Sequence, residues 1–260
     1  MYNFSFYSVI QGRIRNLQST SEIMANVLGT PTPSKRVPTG IPGLDNLVEG
    51  GLQAGDFVLL AGGVGSGKTT FACQFVYNAV KMYDEPAVFA TFEEDIESLK
   101  RNMVKYGLDL EPLEKKKRLK LLDLELLEGS GMGSNIETII NAIDEVHAKR
   151  LVLDSLTAFL SGTKEKFDYA FLMHLVYKTL KREQITTLMT ISKPQNSFDS
   201  GSGIEEFLAD GIFQLESYVT PQMEQRTRFL VRKLRGTDHS RKYHAVAFTQ
   251  HGVEIIPWNS

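Results

Sequence analysis

The run Gly62-Gly63-Val64-Gly65-Ser66-Gly67-Lys68-Thr69 has the spacing G-x-x-x-x-G-K-T, the spacing of a phosphate-binding loop (P-loop). Glycines let successive backbone N–H groups turn inward toward phosphate oxygens, and a helix N-terminus behind them adds a favourable dipole. In such a loop Lys68 reaches the β- and γ-phosphates and the Thr69 hydroxyl ligates Mg²⁺. The flanks suit the motif. Asp56 to Ala61 is a short apolar run of the kind found in buried parallel strands. From Thr69 to Met82, apolar residues recur at Phe71, Phe75, Val76, Ala79 and Val80 with helical spacing. A glycine-rich turn that binds nothing is the plainer alternative, and the strand before and helix after weigh against it.

Two acidic features and one basic segment can complete the chemistry. Arg150-Leu151-Val152-Leu153-Asp154 is an apolar strand ending in a carboxylate, placed where it can hold the hydration shell of Mg²⁺. Alone, that pattern reads equally as a helix cap; downstream of a P-loop it carries weight. Glu93-Glu94 follows the apolar run Ala87–Phe92, so one of the two can orient or deprotonate an attacking water. A charged first helical turn explains the same pair as well. Between Arg226 and Lys242 lie Arg228, Arg232, Lys233, Arg235 and Arg241. Cations there can neutralise phosphate oxygens, but composition alone favours a solvated edge strand.

The elements needed to position these groups alternate. The helical pattern after Ala87–Phe92 runs through Ile96, Leu99, Met103 and Tyr106. Strands are predicted at Leu119–Leu122, Leu151–Leu153 and Thr186–Ile191. Helices are predicted over Asn135–His147, opened by the glycine-rich loop 129–134, and from Phe167 to Leu180. Then Gly211–Glu216, Arg226–Leu234, Tyr243–Phe248 and Gly252–Ile256 read as strands joined by short turns. Strand–helix units followed by hairpins predict an α/β fold: a mostly parallel central sheet flanked by helices and extended by C-terminal antiparallel strands. Residues 1–34 stand apart as an extension and linker. Ser19 and Glu22 are spaced as a capping box, and Gly29-Thr30-Pro31-Thr32-Pro33-Ser34 is linker-like. Residues 35–260 form the main domain.

Composition narrows the class. Hydrophobic content of 42% fills a core, and a net charge of −2 advertises no overall affinity for nucleic acid or anionic membrane. No apolar run approaches the roughly 18 residues a bilayer span needs. The single Cys73 makes no intrachain disulfide, and a reducing cytoplasm is the compartment expected. The five histidines show no metal-binding spacing. Loops 161–166 and 193–203 carry few charges and, beyond Phe198, no aromatic residue to stack a single strand, so nucleic acid is not indicated.

Taken together, the motifs resemble a known family. Thr39-Gly40-Ile41-Pro42-Gly43-Leu44-Asp45, Glu49-Gly50-Gly51-Leu52 and the P-loop look like the opening of the KaiC/RadA branch of RecA-like P-loop ATPases. Glu85 to Glu94, Leu153-Asp154-Ser155-Leu156-Thr157, Gly203 to Phe207, Lys233 to His239 and His251-Gly252-Val253 are similar to KaiC in particular. The resemblance implies a hexameric ring of identical subunits with Mg²⁺ and ATP bound between them, acting as a slow regulatory ATPase for an unidentified protein partner. The alternatives are a RadA-like accessory ATPase of DNA recombination or repair, or an ATP-binding scaffold that does not hydrolyse. It implies that Gly63, Val64, Gly65, Ser66, Gly67, Lys68, Thr69 and Thr70 hold phosphates, that Thr69 and Asp154 serve the metal, and that Glu93 is the catalytic glutamate with Glu94 as its partner. It further implies that Lys233, Leu234, Arg235, Thr237 and His239, with Thr249 and Gln250, reach the nucleotide from the neighbouring subunit. An interface role for Arg235 then displaces the edge-strand reading. The chain departs from the circadian proteins in carrying one such domain rather than two and in lacking their autophosphorylated Ser-Thr pair, so self-kinase activity is not expected. Gln250 stands where an acidic residue is usual.

Overall fold

The computed structural model describes residues 35–124, 131–161, 166–192 and 204–256. The loops 162–165 and 193–203 and the proposed capping box and linker of residues 1–34 lie outside them. Two short strands, β1 (Arg36–Val37) and β2 (Leu52–Gln53), pair antiparallel as a small separate ribbon that the sequence pattern did not announce.

The main sheet has nine strands: β3 (Phe57–Gly62), β4 (Ala87–Thr91), β5 (Leu119–Asp123), β6 (Arg150–Asp154), β7 (Thr186–Ser192), β8 (Gly211–Val219), β9 (Gln225–Leu234), β10 (His244–Thr249) and β11 (Gly252–Ile256). Their spatial order is β11-β10-β9-β8-β3-β7-β6-β4-β5. Strands from β5 to β8 pair parallel, and β8 through β11 pair antiparallel. The expected α/β architecture with an antiparallel C-terminal extension is therefore the observed one. β9 has β8 on one side, but β10 pairs on the other only with Thr227–Phe229, so among the described residues the stretch Leu230–Leu234 has no outer strand partner.

Helices cover both faces of the parallel part. On one side lie α1 (Lys68–Tyr83), α2 (Ile96–Val104) and α3 (Glu111–Lys115), whose Phe71, Phe75, Leu99, Met103 and Leu113 share a buried cluster with Val58, Leu60 and Phe89. On the other lie α4 (Gly131–Val146), α5 (Leu156–Ser161) and α6 (Lys166–Arg182), with Ile136, Ile139, Ile143, Leu156, Met173 and Leu180 against Phe57, Leu59 and Leu153. A strand covered on both faces has no polar side to present, which is why β3, β4 and β6 are buried at every position. In β9 the first helical layer covers Phe229 and Val231, while the intervening Leu230 and Arg232 remain half-exposed. A last short helix, α7 (Ile204–Leu208), precedes β8. Two boundaries differ from expectation by more than two residues. α4 begins within the glycine-containing loop, at Gly131, and β8 runs on to Val219 because β9 pairs with it along that whole length.

The outer edge of β11 is not left open. Gln74 of α1 takes both the N–H and the C=O of Val253 (2.5 and 3.0 Å), and the Pro42 carbonyl accepts the N–H of Ile255 at 2.9 Å. Deeper in the first layer, Arg150 is fully buried. It pairs with Glu85 at 2.8 Å and lies over the rings of Phe75 and Tyr83, at 4.8 and 5.5 Å.

Candidate active site

Parallel strands deliver their C-terminal ends to one edge of a sheet, and the P-loop leaves β3 at that edge. Gly67 caps α1 in a left-handed conformation (φ 90°), and no side chain caps the helix. The first-turn N–H groups, which have no partner within a helix, therefore open into the loop. Val64 projects at the apex, 95% exposed. Lys68 Nζ donates to the carbonyls of Gly62 and Gly63 at 3.0 and 2.8 Å. Burial lowers the Lys68 pKa, against the pull of Asp154 and Glu93.

The carboxylates converge on the same edge. Thr69 Oγ1 donates to Asp154 Oδ2 at 2.7 Å, and Thr190, two residues before the end of β7, donates to Oδ1. Burial pushes the Asp154 carboxyl up despite these two hydroxyl donors. The Phe92 N–H bonds to the Asp154 carbonyl at 2.9 Å, continuing the β4–β6 ladder one step further and bringing Glu93 alongside. Ser155 then donates from Oγ to Glu93 Oε1, while the same oxygen accepts the N–H of Ala158 in α5 at 3.2 Å. Glu94 goes elsewhere: Asn102 of α2 donates to it at 2.7 Å. Of the acidic pair, then, Glu93 joins the Lys68–Asp154 group. Thr190, Ser155 and Asn102 were missed by sequence reasoning. Ser155 follows Asp154 directly, whereas Thr190 becomes visible only once β7 is known to neighbour β6.

Only the far end of the basic segment, Lys233 to Arg235, is at the opposite edge; Arg226 and Arg228 pair with Tyr218 and Glu216, beyond the end of β3. Arg235 N–H donates to Asp210 O, and Asp210 N–H to Phe57 O, each at 2.8 Å, so Arg235 lies level with the start of β3. The six-residue length of that strand puts Arg235 about 16 Å from the P-loop of its own chain. Lys233 and Arg235 donate to the carbonyls of Glu206 and Phe207 in α7, at 2.8 and 2.7 Å. Leu234 is buried, the Thr237 hydroxyl accepts from Arg36 at 2.7 Å, and the His239 ring lies 3.2 Å from the Thr237 carbonyl. Further along, Arg226 and Arg228 are paired with Glu224 and Glu216.

Thr249 and Gln250, grouped with Arg235 by sequence reasoning, lie at a different edge of the sheet from it. His244 pairs with Phe229, Phe229 with Leu215, and Leu215 with Gly62, so β10 starts level with the end of β3 and continues beyond it. Phe248 lies against Gly67, and Gln250 against Gly107 beyond α2. Thr249 and Gln250 thus follow directly on the residue that touches the P-loop of their own chain. Two antiparallel reversals after β8 account for the difference: β9 ends at the far edge and β10 at the near one.

The residues present fit a nucleotide triphosphate and its cation. Ser66 Oγ is fully buried without a hydrogen-bond partner among the described residues, within an uncapped helix start that also holds Lys68. Among the described residues no three His, Cys, Asp or Glu side chains converge, so the chain offers Thr69 and Asp154 to a cation whose other ligands would be phosphate and water, as Mg²⁺ prefers.

Comparison with known proteins decides the lineage. A family model described as "ATPase: KaiC" matches residues 37–260. The chain belongs to this KaiC family of ATPases. A KaiC-like protein from Pyrococcus horikoshii OT3, known by crystal structure, superposes with a TM-score of 0.78 at 35% identity, covering 86% of this chain and 100% of that one. Circadian clock oscillator proteins KaiC from Parasynechococcus marenigrum and Parathermosynechococcus lividus are 31% and 34% identical over 86% and 84% of this chain. It spans less than half of their length, 45% and 42%. The mostly parallel, RecA-like sheet and the P-loop are thus family features, and nucleotide binding follows from family membership. No helix among the described residues is long and apolar enough to cross a membrane.

Proposed function

We propose that this chain is an ATPase of the cytoplasm that binds Mg²⁺·ATP in its P-loop and hydrolyses it slowly at the contacts of a homo-oligomeric ring, hexameric as the family resemblance implies. The nucleotide state of the ring regulates the assembly of a protein partner. The observation that carries this reading is the division of the site between opposite edges of one sheet. The P-loop, Asp154 and Glu93 occupy one edge, and Lys233 and Arg235 the other, about 16 Å away along β3. A chain cannot close that gap on itself, but a head-to-tail neighbour brings its far edge to the first chain's near edge, and repetition closes a ring.

Each group has a part. The backbone N–H groups of Gly65 through Thr70 and the Lys68 ammonium would cradle the phosphates, and Thr69 and Asp154 would hold the cation. When bound, Mg²⁺ neutralises oxygens of the β- and γ-phosphates. Glu93, held by Ser155, orients the attacking water and accepts its proton. Lys233 and Arg235 of the neighbour meet charge developing on the transferred group, in the manner of arginine fingers.

Complementation tests this division. Glu93→Gln lowers turnover about 100-fold, and Arg235→Ala about 1,000-fold, each in a uniform preparation. Mixing the two restores activity, since an Arg235→Ala subunit keeps Glu93 and its Glu93→Gln neighbour keeps Arg235. Mixtures no more active than their components would exclude action across a subunit boundary.

A further inference from the structure

Gln74 lies in the second turn of α1, one helical turn beyond Thr70, and is 1% exposed. A buried primary amide needs both a donor and an acceptor partner, and it finds both on a single residue. Its Nε2 donates to the Val253 carbonyl at 3.0 Å, and its Oε1 accepts the Val253 N–H at 2.5 Å. Val253 belongs to the outermost strand and lies directly opposite Phe248 in the β10–β11 hairpin. The side chain thus stands in for a neighbouring strand and fixes the height of the hairpin against α1. The fit is close. A Cβ on Gly252 would come within 2.1 Å of Gln74 Oε1, and a Cβ on Gly67 within 2.2 Å of the Phe248 ring.

The hairpin stands where the nucleoside must go. Asp154 and Glu93, which mark the γ-phosphate end, leave β6 and β4 on one side of β3. The hairpin approaches the loop from the other side, beyond β8 and β9, and seats Phe248 on Gly67 with the turn Thr249–Gln250 reaching Gly107. We propose that Gln74 is a positioning residue for the nucleotide site: by clamping Val253 it holds Phe248, Thr249 and Gln250 as the wall that receives the nucleoside, without touching the ligand. Rotation or slippage of the hairpin moves that wall and leaves the phosphate cradle in place. The inference rests on the reading of the P-loop as an ATP site.

The test compares two ligands sharing a phosphate chain, Mg²⁺·ATP and Mg²⁺·tripolyphosphate, titrated calorimetrically into the full chain. Gln74→Leu strips Val253 of both partners, and Phe248→Ala removes the seat of the hairpin while leaving α1 unchanged. Each variant weakens ATP about tenfold and shifts tripolyphosphate by no more than about twofold. Equal losses for both ligands, or no loss for either, overturn the proposal, because a merely structural residue would not distinguish them. Should Gln74→Leu fail to fold, Gln74→Asn takes its place, since it keeps the amide but falls one methylene short of Val253. Failure of the unaltered chain to bind either ligand would instead defeat the ATP reading itself.

Discussion

The two halves of the sheet solve different problems. In the parallel half every strand ends at the same edge, so the P-loop after β3, Asp154 at the end of β6 and the glutamate after β4 meet whatever the lengths of the intervening helices. In the antiparallel half successive strands end at alternate edges. Arg235 therefore finishes far from the loop, and Thr249 beside it. Parallel topology concentrates chemistry within one chain. Antiparallel topology distributes its strand ends, leaving Thr249 at the P-loop edge and Arg235 at the far one.

Lys68→Ala makes the sharpest cut, because it removes the ammonium that lies within the loop itself. ATP binding falls by about 100-fold or more, and isothermal titration reads the loss. Retained affinity would mean that the cradle does not bind through its lysine. Next comes the seam. Phe229 of β9 stacks on Phe71 of α1 at 6.1 Å and meets Phe213 of β8 edge-on at 5.4 Å, fully buried. Phe229→Ala costs about 3–5 kcal/mol in urea unfolding. The two halves unfold in a single transition, and a separate early transition would show them to be independent. The smallest effect lies on the half-exposed face of the antiparallel part. Arg228 holds the Glu216 carboxyl below its ordinary value of 4.5. A lowered native pKa contributes stability above the ordinary value and loses it as pH falls through the native one. With Arg228 about one-third exposed, the pair is worth at most about 1 kcal/mol. Glu216→Gln shows that deficit at neutral pH and none in acid.

What could be read from the chain follows the same division. The P-loop, the apolar run ending on Asp154 and the helical spacing after Thr69 are local patterns, and each marks an element the structure contains. Register is not local. Thr190 reaches Asp154 because β7 lies beside β6, and Gln74 reaches Val253 across 179 residues of chain. Neither pairing leaves a mark in the spacing of residues. Thr249 is an intermediate case. Counting two reversals after a strand parallel to β3 returns β10 to the P-loop edge, away from Arg235. Glu93 and Glu94 are alike in sequence, and only Ser155 on one side and Asn102 on the other separate them.

The closing of the β11 edge by Gln74 and Pro42 bears on the solubility of the protein. An open outer strand is a template for aggregation, since any extended segment can dock on its free N–H and C=O groups. Here the outward groups of Val253 and the N–H of Ile255 are already taken, by a side-chain amide and a backbone carbonyl of the same chain. An incoming strand would have to displace bonds rather than form them. At that end of the sheet, fibre-like growth is blocked by the folded chain itself.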